Sequence, residues 1–492
     1  MSEGHGERLS PVDAAFLSME GRTQHMHVGG LFVFEPPPSG EFDFGRFARL
    51  VRSRLHLVPR YRQRLAFPPL SLGTPLWVDD PDFDLSFHVR HAALPRPGTI
   101  AQLTEYSARI LSRQLDRERP LWELYYIEGL EDGRFALLGK NHHAMIDGLA
   151  GMDIATVMLD LSPEGSDELP PPEPWEAHPT PSPVELAADA VRDVARSPAH
   201  ALDAGRRVAR APRDAGRRAM SVGRAVASMA RTNLAHPPPR SMLNQPPGPH
   251  RRLTIQRLPL DEVKEIKDAF RTTVNDVVLA LVADVTGRYL RSRGARTEGL
   301  WLRAMVPVST RTTDGAEGLG NKVVAVFVDL PMFEMDPVER LHVCHDAMAE
   351  VKSSHHAVGA GFLIDLSGFA PPTIHAMAAR VAAHSRLFNF LVTNVPGPQM
   401  PVYCLGARLM GAFPFTPLAA TQSYAVGLTS IDGWLNFGVT ADYDAMPGIE
   451  RIGDDLLASV AELLEHAAAA RERGVGPRDG ADTPGRGRAA DL

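Results

Sequence analysis

The 492-residue chain is 44% hydrophobic and 23% charged, the balance of a globular protein rather than a disordered one, and its length favours two to four domains. A formal net charge of −7 lacks the basic footprint of a general nucleic-acid binder, so no nucleic-acid partner is expected. Two cysteines, Cys344 and Cys404, are too few for a disulfide framework. The N-terminus has no apolar signal core and no run of roughly 18 apolar residues occurs, so the expectation is a cytoplasmic protein without a spanning helix.

The predicted elements alternate from about residue 9 to 160. HVGGLFVFE is β-branched and aromatic and reads as a strand. FDFGRFARLVRSRL and TIAQLTEYSARILSRQL place apolar residues at helical spacing. LWELYYIEGL and RFALLGK are strands joined through EDG, a hairpin signal. DGLAGMDIATVMLDL then reads as a helix. Residues 162–249 open and close with proline-rich stretches that read as linker. Between them, from about Gly205 to Leu234, apolar and arginine residues recur on separate faces. That spacing describes a basic amphipathic helix, either a connector packed on its own protein or a membrane-surface element.

A second alternating unit follows, from about 250 to 472. RRLTIQRLPL, LWLRAMVPVS, KVVAVFVDLP, LFNFLVTNVPGP, SYAVGLTSIDG and WLNFGVTADYD read as strands, the last two turning at Asp432-Gly433. LDEVKEIKDAF, TVNDVVLALVADVTGRYLRSRG, DPVERLHVCHDAMAEVKSS and IERIGDDLLASVAELLEHAAAARERG read as helices. The division is therefore 1–161, a linker 162–249, a second domain 250–476 and a polar tail 477–492.

The sequence KNHHAMIDGLAG places His142, His143, Asp147 and Gly148 where a strand ends and a helix begins. Metal binding is not expected, because adjacent imidazoles point in different directions and, although Asp147 could add an oxygen, no cysteine or second histidine-rich run stands nearby. Two readings stay open from the residues alone. Both rings can be satisfied core residues, or one can be aimed into a cleft as a general base for a hydroxyl, with its neighbour orienting it. Gly148 would let the chain turn tightly into the helix.

HHAMIDG matches HHxxxDG, the signature of acyltransferases built like chloramphenicol acetyltransferase and of peptide-synthetase condensation domains. LSPVDAAFLSME, RPLWELYYIEGL, TTVNDVVLALVA, RAMVPVSTR, LGNKVVAVFVDLP and TNVPGP resemble, in order, the bacterial wax ester synthase/diacylglycerol acyltransferase family. The DFGWG element of plant-type acyltransferases is absent. The resemblance implies an α/β fold of two chloramphenicol-acetyltransferase-like domains with a tunnel between them. Long-chain acyl-CoA would be a substrate, not a cofactor, and diacylglycerol or a fatty alcohol the acceptor. His143 would be the base, His142 would support the loop or substrate, and Asp147 would be held by Arg303 or Arg311. Pro120, Leu121 and Trp122 match the family's PLW element near the tunnel, with a buried core cluster as the alternative. Asn275 and Asp276 match its ND element, with helix capping as the alternative. Thr393 and Asn394 are candidates for holding the developing oxyanion. An apolar product implies work at a membrane or lipid-droplet surface. Two other activities remain: acylation of a polyketide or glycolipid hydroxyl, and lipid binding without catalysis.

Overall fold

The computed structural model describes residues 6–37, 42–69, 73–145, 157–164, 175–189, 237–310, 322–353 and 387–473. The first unit runs β1 (Glu7–Arg8), α1 (Pro11–Met19), β2 (His27–Phe34), α2 (Phe44–Arg54), β3 (Gln63–Ala66) and β4 (Leu76–Asp79). It continues through α3 (Leu85–His88), β5 (Val89–Ala93), α4 (Ile100–Leu111), β6 (Trp122–Glu128) and β7 (Phe135–His142). The helix signals are local. Ser10 caps α1 ahead of Pro11, and Thr99 and Gln102 form a capping box on α4. Asp132 and Gly133, both at positive φ, make the tight turn read from EDG.

The second unit runs β8 (Arg251–Pro259), α5 (Leu260–Phe270), α6 (Val274–Ser292), β9 (Trp301–Thr310), β10 (Lys322–Pro331) and α7 (Pro337–Ser353). It ends with β11 (Phe390–Pro396), β12 (Tyr403–Cys404), β13 (Ala407–Phe415), β14 (Tyr424–Ile431), β15 (Trp434–Asp442) and α8 (Ile452–Glu472). Two six-stranded sheets result, ordered β12-β13-β2-β7-β6-β5 and β10-β9-β11-β14-β15-β8, with a small β1-β4-β3 sheet beside the first. The second sheet's core is closed by residues of α5, α6, α7 and α8. The first carries apolar cores on both faces, which is why β7 is buried along its whole length.

The sheets do not follow the division read from chain order. Residues 403–415 cross from the second unit and complete the first sheet, β13 pairing with β2 from Leu409↔Phe34 to Phe415↔Gly29. ARLMGAFPF carries Gly411 at an irregularity in that ladder, and Pro414 lacks an N–H, so strand propensity alone does not mark it. The crossing is tight: an added Cβ at Gly438 would stand 2.2 Å from Pro414 O, and at Gly427 2.8 Å from the same oxygen.

The ends of the proline-rich region are also packed. Trp175 lies under the Arg62 guanidinium at 5.1 Å and edge-on to Phe83, and Leu186 is buried with Ala66, Leu76 and Val78. Leu243 is fully buried in the second core, where Asn244 donates to the carbonyls of Asn389 and Thr421. Proline prevents such segments from building a core of their own, but not from docking on one already formed. The arginine-bearing stretch 205–234, the tail 477–492 and the predicted helix after the histidines as far as residue 156 lie outside the described residues.

Gly438→Ala is expected to cost about 1–3 kcal/mol of stability through overpacking against the crossing strand. Gly21→Ala, with nothing within 4 Å of the added methyl, should leave stability unchanged. Denaturant midpoints compare the two, and equal midpoints would remove the constraint assigned to the crossing.

Candidate active site

β7 sits centrally in the first sheet, and its last residue, His142, stands directly opposite His27 of β2. Main-chain bonds on both sides fix the end of the strand. His142 N–H donates to Leu121 O at 2.9 Å, and His143 N–H donates to Met26 O at 2.7 Å. A short 3-10 turn, His143–Met145, follows, in which Ala144 N–H donates to His142 Nδ1 at 3.0 Å. That bond makes Nδ1 the acceptor, so the neutral ring carries its proton on Nε2.

Helix α1 supports both imidazoles. Phe16 stacks on His143 with ring centroids 3.9 Å apart and planes at 24°. Glu20, the residue closing α1, is 3% exposed and lies 3.7 Å from His142 Nε2 and 3.4 Å from His27 Nε2. Arg117 reaches the same carboxylate from outside, donating from Nε at 2.9 Å. Burial works against ionisation of Glu20, but the contacts of His142, His27 and Arg117 outweigh it and hold the carboxyl far below its usual range.

Three rings, His25, His27 and His143, are held below their ordinary pKa. Burial pulls the His143 pKa down to about 4, against a smaller opposite pull from its own main-chain carbonyl. Burial also lowers His27 to about 3, and burial together with Arg251 lowers His25 to about 4. His25 stacks on His27 at 5.4 Å. Arg251 holds the loop carrying His25 by donating to Thr23 O, while its own N–H donates to Ser112 Oγ at 2.9 Å, so residues of both units meet here. Lys140, fully buried, donates to Arg113 O at 2.6 Å and lies 3.6 Å from Glu123; burial brings its pKa down to about 8. Cys344 and Cys404 are buried and unbonded, and burial pushes both thiols up to about 12, which makes them poor nucleophiles.

The predicted residues divide between the two units. Pro120, Leu121 and Trp122 adjoin the histidines, but all three are buried. Leu121 bonds the His142 N–H, and Trp122 donates from Nε1 to Tyr61 O. In this position the three pack as support for the strand end. Asp276 closes a capping box with Thr273 at the start of α6 and accepts from His345 Nδ1 at 2.7 Å, so capping describes it too; Asn275 is half-buried beside it. Thr393 and Asn394 lie half-buried in β11, opposite Gly427 and Leu428, and among the described residues neither bonds to the histidine turn. Arg303 is buried and donates to Asp329, while Asp147, Gly148 and Arg311 lie outside the described residues. Sequence reading missed Glu20, Phe16, His25, His27 and Arg117. A usable signal existed for two of them, because Phe16 and Glu20 are four residues apart in LSPVDAAFLSME and so share a helix face. Among the described residues no group of three or more His, Cys, Asp or Glu side chains is placed to hold a metal ion.

Two α/β units, a strand passed from the second unit into the sheet of the first and a histidine pair at a buried strand end are the arrangement of an acyltransferase of the chloramphenicol-acetyltransferase-like fold. The wax ester synthase/diacylglycerol acyltransferase catalytic domain matches residues 9–278, and the WS/DGAT C-terminal domain matches 319–464. The chain belongs to the wax ester synthase/diacylglycerol acyltransferase family. A putative diacylglycerol O-acyltransferase of Mycobacterium tuberculosis is 34% identical over 473 residues, covering 92% of this chain and 99% of the relative. The probable diacylglycerol O-acyltransferase tgs1 of the same species is 33% identical over 479 residues, covering 96% and 98%. Among solved structures, the wax ester synthase/diacylglycerol acyltransferase from Marinobacter aquaeolei VT8 is similar at a TM-score of 0.68 and 30% identity, covering 94% of this chain and all of that one. The first condensation domain of the calcium-dependent antibiotic synthetase shares the fold at a TM-score of 0.56 and 17% identity, covering 95% and 97%.

The depressed histidines set a stability window. His25 and His27 have folded-state pKa values of about 4 and 3 against an ordinary 6.5, so as pH falls the unfolded chain takes up protons first. Their contribution is complete above about pH 6.5 and is lost on the way down towards pH 4 to 3, at up to about 1.4 kcal/mol per pH unit for each ring. The denaturant midpoint should therefore fall between pH 7.5 and 5. A midpoint constant over that range would show that these rings are not held neutral.

Proposed function

We propose that this acyltransferase moves a long-chain acyl group from acyl-CoA directly to the hydroxyl of diacylglycerol or a fatty alcohol, with His143 as general base. The observation that carries the reading is a neutral imidazole, held by Phe16 at a rigid strand end, whose pKa of about 4 keeps it free to accept a proton at neutral pH. The alcohol oxygen attacks the thioester carbonyl carbon as His143 takes its proton. The tetrahedral adduct then collapses, the C–S bond breaks, and His143 returns the proton to the departing coenzyme A thiolate. Both substrates react in one pocket, so proximity supplies part of the rate and no acyl-enzyme is required. Acyl-CoA is consumed as a substrate, and no cofactor enters the scheme.

Incubating the purified protein with palmitoyl-CoA and either diolein or hexadecanol should yield triacylglycerol or wax ester. His143→Ala should lower turnover by about two to four orders of magnitude. Because the base is protonated only at acid pH, kcat/KM should stay level from pH 8 to 6 and fall only as the pH approaches 4. A variant with more than half the wild-type rate would sink the base assignment; a wild-type inflection near pH 6.5 would show instead that the ring is not held below its ordinary pKa.

The product is too apolar to leave into water, which supports action at a membrane or lipid-droplet surface. Among the described residues no helix is long and apolar enough to cross a membrane, so the contact we infer is peripheral, with the arginine-bearing segment from Gly205 to Leu234 as its candidate. Each arginine near an anionic leaflet contributes about 1 kcal/mol. Neutralising Arg210, Arg213, Arg217 and Arg224 together should weaken binding to phosphatidylserine-containing vesicles and make it less salt-sensitive. Unchanged flotation of the quadruple variant would leave the segment a connector.

A further inference from the structure

The segment LSPVDAAFLSME enters the site through α1, yet the reaction scheme leaves its last residue without a role. Phe16 and Glu20 are four residues apart, and that spacing gives each histidine its own contact: Phe16 stacks on His143, and Glu20 faces Nε2 of His142. The Glu20 carboxylate is 3% exposed, and burying a charge is expensive unless it is paired. Buried ion networks are weak contributors to stability, since apolar residues of similar volume do as well or better. The network around Glu20 is better explained by what it orients.

We propose that Glu20 is a positioning residue: its buried carboxylate fixes His142 as the Nε2–H tautomer and so holds the turn from which His143 works. His142 Nδ1 is occupied as acceptor of the Ala144 N–H, so the ring's proton belongs on Nε2; that nitrogen makes no hydrogen bond among the described residues, and Glu20 Oε2 faces it at 3.7 Å as an electrostatic contact. A ring flipped or protonated the other way would leave the Ala144 N–H without its acceptor and release the His143–Met145 turn. Arg117 bonds the carboxylate from its outer side and also donates to Leu17 O, which ties Glu20 to the end of α1 and fixes its reach. A carboxylate that sets an imidazole tautomer is a general device of acyl-transfer sites. Here it acts on the neighbour of the base, one residue removed from the reacting atoms.

This inference rests on His143 as the base, and the test keeps the two apart. In the full chain labelled with 15N-histidine, the His142 signal, assigned through His142→Gln, should show an unprotonated Nδ1 at pH 7. Glu20→Gln should mix or reverse that tautomer and lower kcat with palmitoyl-CoA and hexadecanol by about 10–100-fold, while KM stays within about threefold. Glu20→Asp, which keeps the charge, should recover part of kcat. A wild-type His142 protonated at Nδ1, or a Glu20→Gln enzyme with kcat within about twofold of wild type, would overturn the proposal. If Glu20→Gln does not fold, Glu20→Ala and Glu20→Asp carry the test: a folded Glu20→Ala enzyme with wild-type kcat and an unchanged His142 tautomer would overturn the proposal. Failure of the base assignment would appear separately, as undiminished turnover in His143→Ala with the His142 tautomer still set by Glu20.

Discussion

The antiparallel ladder between β2 and β7 is the constraint on which the site depends. Its register sets His27 opposite His142, and the next bond, from His143 N–H to Met26 O, carries the pairing one residue past the strand. Successive strand residues face opposite sides, so a slip of one residue would exchange the surroundings of His142 and His143. The register is well defended. β7 pairs along its length with β2 on one side and β6 on the other, and Gly29 of β2 lies against Leu111 and Phe415 so closely that a Cβ would meet Leu111 at 2.8 Å. The histidine pair is thus positioned by a whole sheet rather than by a loop, which gives its rings a fixed orientation.

Around this ladder the electrostatics favour uncharged imidazoles and fixed anions. His25, His27 and His143 are all held well below their ordinary pKa by burial, while Glu20 is kept ionised by its partners. Lys140, two residues before His142, adds a buried cation paired with Glu123. These groups impose a desolvation cost that an apolar core would avoid, and what they supply in return is a set of rings with defined protonation. A base whose pKa lies far below neutral is always available but only weakly basic. On the proposed base assignment, its effect would come from placement against the hydroxyl and from the exclusion of water, more than from proton affinity.

The crossing of residues 403–415 explains how the two sheets act together. β13 is hydrogen-bonded into the first sheet while its Pro414 carbonyl rests on glycines of β14 and β15 in the second. Arg251 bridges the same junction from the start of β8 to the loop that carries His25.

Much of the fold was legible in the sequence where local physics decides. Apolar spacing marked α2, α4, α5, α6, α7 and α8; alternating or β-branched runs marked β2, β6 to β11, β14 and β15; and EDG and Asp432-Gly433 marked two turns. The motif located the histidine pair because its residues are contiguous. Short or glycine- and proline-bearing strands such as β3, β4, β5 and β13 carried no comparable local signal, since they exist only through the neighbours they pair with. The supports of the site were hidden for a related reason. Glu20 and Arg117 are 97 residues apart, and Glu20 lies more than a hundred positions before His142, so only the packing of α1 against the end of β7 makes them neighbours. The sequence by itself determined which residues could carry the chemistry. Tertiary structure decided which of them are buried as support and which protonation state each ring holds, because burial and long-range pairing, which set both, are properties of the assembled chain.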